Sequence, residues 1–479
     1  MNYRVIRHIL GWVLKIEALC MIFPLICSFV YKERNEIYIF AFCIIITFAM
    51  GILLSLGTPK NRNIYAREGF VTVALSWILM SLFGALPFAV SGSIPNYADA
   101  FFETVSGFST TGASILTDVE ALPYSLLFWR SFTHWIGGMG VLVFLVALLP
   151  LSGSNNFFLV KAESPGPKVS KLVPNIKVSA KILYEIYIVL TVIEIALLIA
   201  GGMNIFDALT LSFGTAGTGG FAIKNSGLAD YTSYQQIVIT VFMLIFGVDF
   251  SLYYLLLIKK FKLALKSDEL RCYLGIIAVA IAAISINCFN LFGNIFDAVK
   301  HSAFQVASII TTTGYSTCDF DKWPSFSKTI LVLLMFTGAC AGSTGGGIKV
   351  SRIIILLKTI AKEIKIGAHP KTTLKVKMNG HAIEHETIRS INVFMAAYLA
   401  IFAASLLAIS IDNFDFTTNF TAVASAINNI GPGLAKVGPM SNFSGYSQFS
   451  KIVLSFDMLV GRLEIFPILI LFSPHTWKK

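Results

Sequence analysis

The sequence predicts an all-α integral membrane protein. A two-helix hairpin leads into four parallel pseudo-repeats, each a helix, a short re-entrant helix, a glycine-centred loop and a second helix, gathered around one axis. Three observations predict this. First, the 479 residues are 56% hydrophobic and 13% charged, whereas soluble domains carry about 25% charged residues. Second, four uncharged strips recur between apolar segments: Ser109-Thr110-Thr111-Gly112-Ala113-Ser114, Gly217-Thr218-Gly219-Gly220-Phe221, Thr311-Thr312-Thr313-Gly314-Tyr315-Ser316 and Asn428-Asn429-Ile430-Gly431-Pro432-Gly433. Third, the net charge of +11 is concentrated in a few loops. In a soluble chain that balance would suggest nucleic acid. Here the positive-inside rule accounts for it, and no nucleic-acid partner is expected.

In chain order, Arg4, Arg7 and His8 precede an apolar run over 9–30, too long for a signal-peptide core. A second run over 36–57 completes the hairpin, and Lys60, Arg62 and Arg67 mark a cytoplasmic loop. Repeat one has a helix over 69–91, a short apolar stretch Ala98 to Ser109, the strip, and a helix over 124–150. The short stretch cannot span, since spanning takes about 20 residues. Residues 91–123 contain no Lys or Arg but include Asp99, Glu103, Asp118 and Glu120, which belongs outside. Lys161, Lys168, Lys171, Lys177 and Lys181 then return the chain to the inside. Repeat two reads as helices over 182–202, 205–216 and 234–258, closed by Lys259, Lys260, Lys262, Lys266 and Arg271. Repeat three reads as 272–292, 296–310 and 327–360, repeat four as 388–411, 415–428 and 448–473, with the hydrophilic link 361–389 between them. The units are therefore 1–60, 61–165, 166–265, 266–370 and 371–479, with every glycine-centred loop on the outer side.

The strip glycines 112, 220, 314 and 431 are 108, 94 and 117 residues apart, too far for a soluble solenoid. Asp99-Ala100, Asp207-Ala208 and Asp297-Ala298 stand 13, 13 and 17 residues ahead of the first three. The third short helix is therefore about one turn longer, and the fourth segment, which starts at Asp412-Asn413 ahead of its short helix, is the most diverged. Hydroxyl residues followed by glycine suit an extended backbone whose carbonyls face one way, as in potassium-channel filters, where such strips surround an axis four times. Each short helix would aim the negative end of its dipole at the centre. On this reading the cage consists of Thr110, Thr111 and Gly112; Thr218, Gly219 and Gly220; Thr312, Thr313 and Gly314; and Asn429, Ile430 and Gly431. Their carbonyls would replace the hydration shell of a passing ion. Because the four strips differ, the cage should be less symmetric than one built from identical chains.

Thr337–Gly347 interrupts the second helix of repeat three. Five of these eleven residues are glycine, and each costs roughly 1 kcal/mol in a helix interior. Two readings are open: small-residue helix packing, or an unwound loop lining a cavity. The triple glycine favours the second, a gate below the filter. Arg462 falls within the last apolar helix, where a charge must find partners. It either pairs with Glu464 or Asp457, or faces the interrupted loop. Asp249 is similarly deep, as a helix cap or a pore-lining group. Arg130 and His134 read as interfacial or packing residues. His381 and His385 have no third ligand, the seven cysteines have no disulfide-type spacing, and no metal site is expected.

With these residues in place, the chain resembles the TrkH/TrkG family of bacterial Trk potassium uptake systems, in the superfamily shared with KtrB and plant HKT transporters. The resemblance rests on Ser106–Ala113, His134–Gly140, Thr218–Phe221, Thr312–Tyr315, Ala341–Lys349, Asn428–Gly433 and Gly461–Phe466, and it spans the chain. It implies four filter strips on the loops above. It further implies an intramembrane gate comprising Gly338, Gly342, Gly345, Gly346, Gly347 and Lys349, with Arg462 beside it. A homodimer, a cytosolic TrkA-type nucleotide-binding partner, a bacterial inner-membrane location, and K⁺ as cargo with no cofactor are also implied. Asp249 departs from the amide or neutral residue expected there. Other classes fit less well. An alternating-access transporter needs inverted repeats, whereas these repeats run parallel. An enzyme needs convergent nucleophiles, acids or metals, and none are evident. A Na⁺- or H⁺-coupled symporter and a less selective cation channel stay open as alternatives.

Overall fold

The computed structural model describes residues 1–57, 64–140 and 176–477. Helices dominate, and six of those described are long and apolar enough to cross a membrane, or seven when one bent pair is counted as a single span. The leading hairpin is Tyr3–Cys20 continued by Ile22–Val30, then Arg34–Ser55. Its two arms meet through small residues, as membrane helices do when backbones approach closely. A Cβ on Gly11 would stand 2.6 Å from the Gly51 carbonyl oxygen, and one on Gly51 would stand 2.9 Å from that of Gly11. Gly11→Leu is therefore expected to lower the unfolding temperature in detergent, through an overpacking cost of about 1–3 kcal/mol. An unchanged unfolding temperature would show that the arms do not hold each other.

Four short helices follow the predicted pattern: Tyr97–Phe108, Ile205–Gly217, Ile295–Ile310 and Phe416–Ile427. At 12, 13, 16 and 12 residues, none reaches the length needed to span, and the third is the longest, as the sequence spacing requires. Each begins on a carboxamide or carboxylate that accepts a backbone N–H of the first turn. Asn96 takes Ala98 N at 2.9 Å, Asn204 takes Asp207 N at 2.8 Å, Asn294 takes Phe296 N at 3.0 Å and Asp415 takes Thr418 N at 3.0 Å. Such caps satisfy otherwise orphaned donors. Asp99, Asp207 and Asp297 are thus third-position residues in a repeated Asn-x-x-Asp, well placed against the positive helix end. The fourth short helix, expected over 415–428, is capped by Asp415, and Asp412-Asn413 ahead of it end a 3₁₀ turn on a left-handed residue.

The helices that follow the second, third and fourth strips are each broken in two. Tyr124–Gly138 ends at Met139, and the remainder of the expected 124–150 span lies outside the described residues, as do Lys161, Lys168 and Lys171. The expected helix 234–258 is two helices, Ser233–Phe246 and Phe250–Leu257, bent by 91°. The reason is local: Gly247 closes the first, and Asp249 caps the second by accepting Ser251 N at 2.9 Å. Ser325–Met335 and Val350–Ala368 flank the glycine-rich segment. The last span divides into Gln448–Arg462 and Phe466–Phe472. Pro467 supplies no N–H for the Leu463 carbonyl, so the helix cannot run through, and Glu464 and Ile465 turn into positive φ. Arg462 therefore ends a helix instead of sitting inside one. The link 361–389 is also more ordered than expected. The preceding helix runs to Ala368, and Lys377–Met378 pairs with His381–Ala382 across an Asn379-Gly380 turn of positive φ, a favoured hairpin turn.

Candidate functional site

The four short helices end in the same backbone motif. Thr110, Thr218, Thr312 and Asn429 donate N–H to the carbonyls of Gly107, Thr215, Ile309 and Ala426 at 3.0–3.2 Å. The next residues, Thr111, Gly219, Thr313 and Ile430, donate to Ser106, Gly214, Ser308 and Ser425 at 2.8–2.9 Å. This two-bond termination places a left-handed residue at the first position. Thr110, Thr218 and Asn429 have φ of 56°, and Thr312 of 59°. Side-chain-bearing residues rarely adopt that conformation. Its presence at four equivalent positions means the surroundings over-determine it, as at functional sites. Two residues on, Gly112, Gly220, Gly314 and Gly431 are again at positive φ, between 80° and 103°. The sign of φ therefore alternates along each strip.

The strips close into a ring. A Cβ added to Gly112 would collide with the Gly219 carbonyl oxygen, one on Gly220 with that of Thr313, and one on Gly314 with that of Ile430. One on Gly431 would stand 2.8 Å from the Thr111 oxygen. Each glycine thus faces the carbonyl preceding the glycine of the next strip, in chain order, with the fourth returning to the first. Side chains reinforce the joints. Asn429 Nδ2 donates to Thr111 Oγ1 at 3.0 Å and to the Met458 carbonyl at 2.8 Å. Ser308 and Ser425 donate to the carbonyls of Tyr315 and Gly431, each at 2.6 Å. Tyr315 in turn donates to Leu211 O at 3.0 Å, joining the third strip to the second short helix.

Arg130 and His134 sit behind the first two strips, not at an interface. Arg130 is buried, with its Nε 2.6 Å from Glu103 Oε1. His134 is buried against Gly219, where a Cβ would strike the imidazole, and stands edge-on to Phe221 at 4.2 Å between ring centres. Glu103 was legible in the sequence only as one more outer acid. Its partner lies 27 residues on, beyond any helical spacing.

The glycine-rich segment lies directly against the ring. Gly338, Gly342, Gly347 and Lys349 all have positive φ, which rules out a continuous helix. Gly346 N donates to Thr312 Oγ1 at 2.7 Å, and a Cβ on Gly345 would stand 2.9 Å from the Thr311 carbonyl oxygen. The freed backbone groups find partners on the neighbouring bend. Cys340 N bonds Gly247 O at 3.0 Å, Phe250 N bonds Gly342 O at 3.1 Å, and Thr344 Oγ1 bonds Phe246 O at 3.2 Å. Asp249 is therefore a helix cap packed beside Gly342. Glu269 ties the middle of the segment to the start of the helix after it, accepting Ala341 N at 2.7 Å and Ser351 N at 3.0 Å. Lys349 Nζ donates to the Gly345 carbonyl. Arg462 Nη1 donates to Thr344 O at 2.7 Å, and Nη2 to the carbonyls of Gly137 and, at 2.7 Å, Gly138. It thus joins the segment to the end of Tyr124–Gly138. Glu464 pairs with Arg352 at 2.5 Å. Sequence alone gave no sign of Glu269 or Arg352 as partners here.

Among the described residues no three His, Cys, Asp or Glu side chains converge as metal ligands. Several apolar spans with one closed ring of four backbone strips fit a membrane transport protein. The profile of a family described as cation transport proteins matches residues 36–479. The chain is 35% identical to the Trk system potassium uptake protein TrkH of Escherichia coli strain K12, and 33% identical to TrkG of the same strain. Coverage is 100% of this chain in both cases, and 100% and 99% of the relatives. The crystal structure of the potassium transporter TrkH from Vibrio parahaemolyticus superposes with a TM-score of 0.89 at 31% identity, covering 100% of both chains. This chain belongs to the TrkH family of Trk potassium uptake transporters. Its relatives are named as transporters and not as enzymes, in line with the sequence.

Proposed function

We propose that the chain carries K⁺ into the bacterial cell across the cytoplasmic membrane, through a channel-like pore within one polypeptide. The four strips are its selectivity filter, the ends of four pseudo-repeats that descend from the outer face. The observation that carries this reading is the closed ring of four equivalent strips with φ alternating in sign. That alternation suits successive carbonyls turning towards one axis, where they replace the ion's hydration shell. K⁺ as cargo is supported by the names of the relatives. Residues 338–347 are the gate, held by Lys349, Glu269 and Arg462. Purified chain in liposomes, with K⁺, Na⁺ and H⁺ gradients set independently, tests the reading. K⁺ should run down its own gradient whatever the other two are. Uphill K⁺ movement driven by Na⁺ or H⁺ would establish a coupled symporter instead.

A cytosolic nucleotide-binding subunit of TrkA type is the proposed regulator, acting on a homodimer of this chain. Exposed lysines 259, 260, 262, 371, 375 and 377 offer it a basic face. Reversing the charge of Lys371, Lys375 and Lys377 together should weaken capture of the regulator in a pull-down by about tenfold or more, since each rim pair contributes up to about 1 kcal/mol. Undiminished capture would exclude this face.

A further inference from the structure

We propose that the buried Glu103–Arg130 ion pair is a positioning device that fixes the spacing of the first and second strips and so sets the preference of the site for K⁺ over Na⁺. The inference rests on the filter reading above.

The two residues are 1% and 3% exposed. A buried ion pair is weak grounds for stability, because desolvation offsets the attraction, so its presence behind the strips asks for another role. Its contacts supply one. Glu103 Oε1 accepts Arg130 Nε at 2.6 Å and Ser114 Oγ at 3.0 Å, while Oε2 accepts Ile115 N at 3.0 Å. The carboxylate therefore holds the chain leaving the first strip, two and three residues past Gly112. Arg130 Nη1 donates to the Ala222 carbonyl at 2.8 Å, and its guanidinium lies 3.5 Å from the centre of the Phe221 ring. The cation therefore holds the chain leaving the second strip, one and two residues past Gly220. The pair is a rigid link from strip one to strip two, beside the joint where Gly112 meets the Gly219 carbonyl. Where such carbonyls form a cage, a change in that joint moves its walls, and the smaller Na⁺ gains when they loosen.

Arg is needed here for geometry as well as charge. Its planar fork holds Glu103 through Nε and Ala222 through Nη1 in one fixed geometry, which an ammonium on a flexible stem does not reproduce. Arg130→Lys should keep the charge and the fold yet lower the K⁺/Na⁺ flux ratio in liposomes by about tenfold, the equivalent of one lost charge-assisted hydrogen bond. Ser114→Ala, a smaller change, should lower the ratio in the same direction and less. It also serves as the test if Arg130→Lys fails to fold. Gly112→Ser is the control for the filter itself. Fluxes are taken per folded protein, so a merely structural role would lower K⁺ and Na⁺ movement together and leave the ratio alone. If the ratio stays at the parent value in Arg130→Lys and Ser114→Ala while Gly112→Ser shifts it, the positioning role is overturned and the filter stands. If Gly112→Ser also leaves it unmoved, the filter reading falls with it.

Discussion

Gly314→Ser is expected to lower the K⁺/Na⁺ flux ratio by at least about tenfold, with Gly112→Ser following it. Gly314 has φ of 83°, where a side chain costs about 1–2 kcal/mol. Strain is the lesser part. The added Cβ would collide with the Ile430 carbonyl oxygen and stand 3.0 Å from Pro432 Cδ. The fourth strip must then withdraw, and it carries one of the carbonyls assigned to the cage. Gly92 separates the two effects. Its φ is 75°, yet a Cβ there would meet nothing within 4 Å. Gly92→Ser should therefore leave the ratio intact. Equal ratios in parent, Gly112→Ser and Gly314→Ser would remove the filter assignment.

Arg462→Ala should raise K⁺ flux in the absence of the cytosolic regulator, by roughly tenfold per folded protein if one charge-assisted bond's worth of closed-state preference is lost. Arg462 gives its guanidinium to three carbonyls, of Thr344, Gly137 and Gly138. One belongs to the glycine-rich segment and two to a separate helix end, so the side chain bridges the segment to a fixed wall. Without it the segment loses that anchor, and states a few kcal/mol apart exchange populations readily. Arg462→Lys should fall between, since a single ammonium cannot reproduce the fixed spacing of Nη1 on Thr344 and Nη2 on Gly137 and Gly138. If Arg462→Ala conducts no faster than the parent without the regulator, the side chain packs helices and does not hold a gate.

The strips and the short helices were legible in the sequence because their chemistry is local. A run of hydroxyl residues closed by glycine cannot continue a helix, and an apolar stretch of a dozen residues cannot span. The helix breaks were partly legible. Gly247 with Asp249 is a stop followed by a cap, and Pro467 forbids an unbroken last span, but both sit in strongly apolar runs whose hydropathy conceals them. The Asn-x-x-Asp starts at Asn96, Asn204 and Asn294 were likewise present, and outweighed by the more conspicuous Asp-Ala pairs. What sequence could not give is partnership. Glu103 with Arg130 and Glu269 with Ala341 and Ser351 pair across helices, at separations fixed by packing alone.

The left-handed position that ends each short helix is Thr110, Thr218, Thr312 and, at the last, Asn429. In a ring of identical subunits, one codon rewrites every corner, and a variant is tried in all of them or none. Here each corner has its own codon. A change perturbs a quarter of the ring while three quarters keep their form, so mutation reaches intermediate variants closed to a symmetric assembly. Asn429 is such a single-corner difference: its amide reaches across to Thr111, a bond a threonine there could not make in the same way. The ring can thus be revised one side at a time.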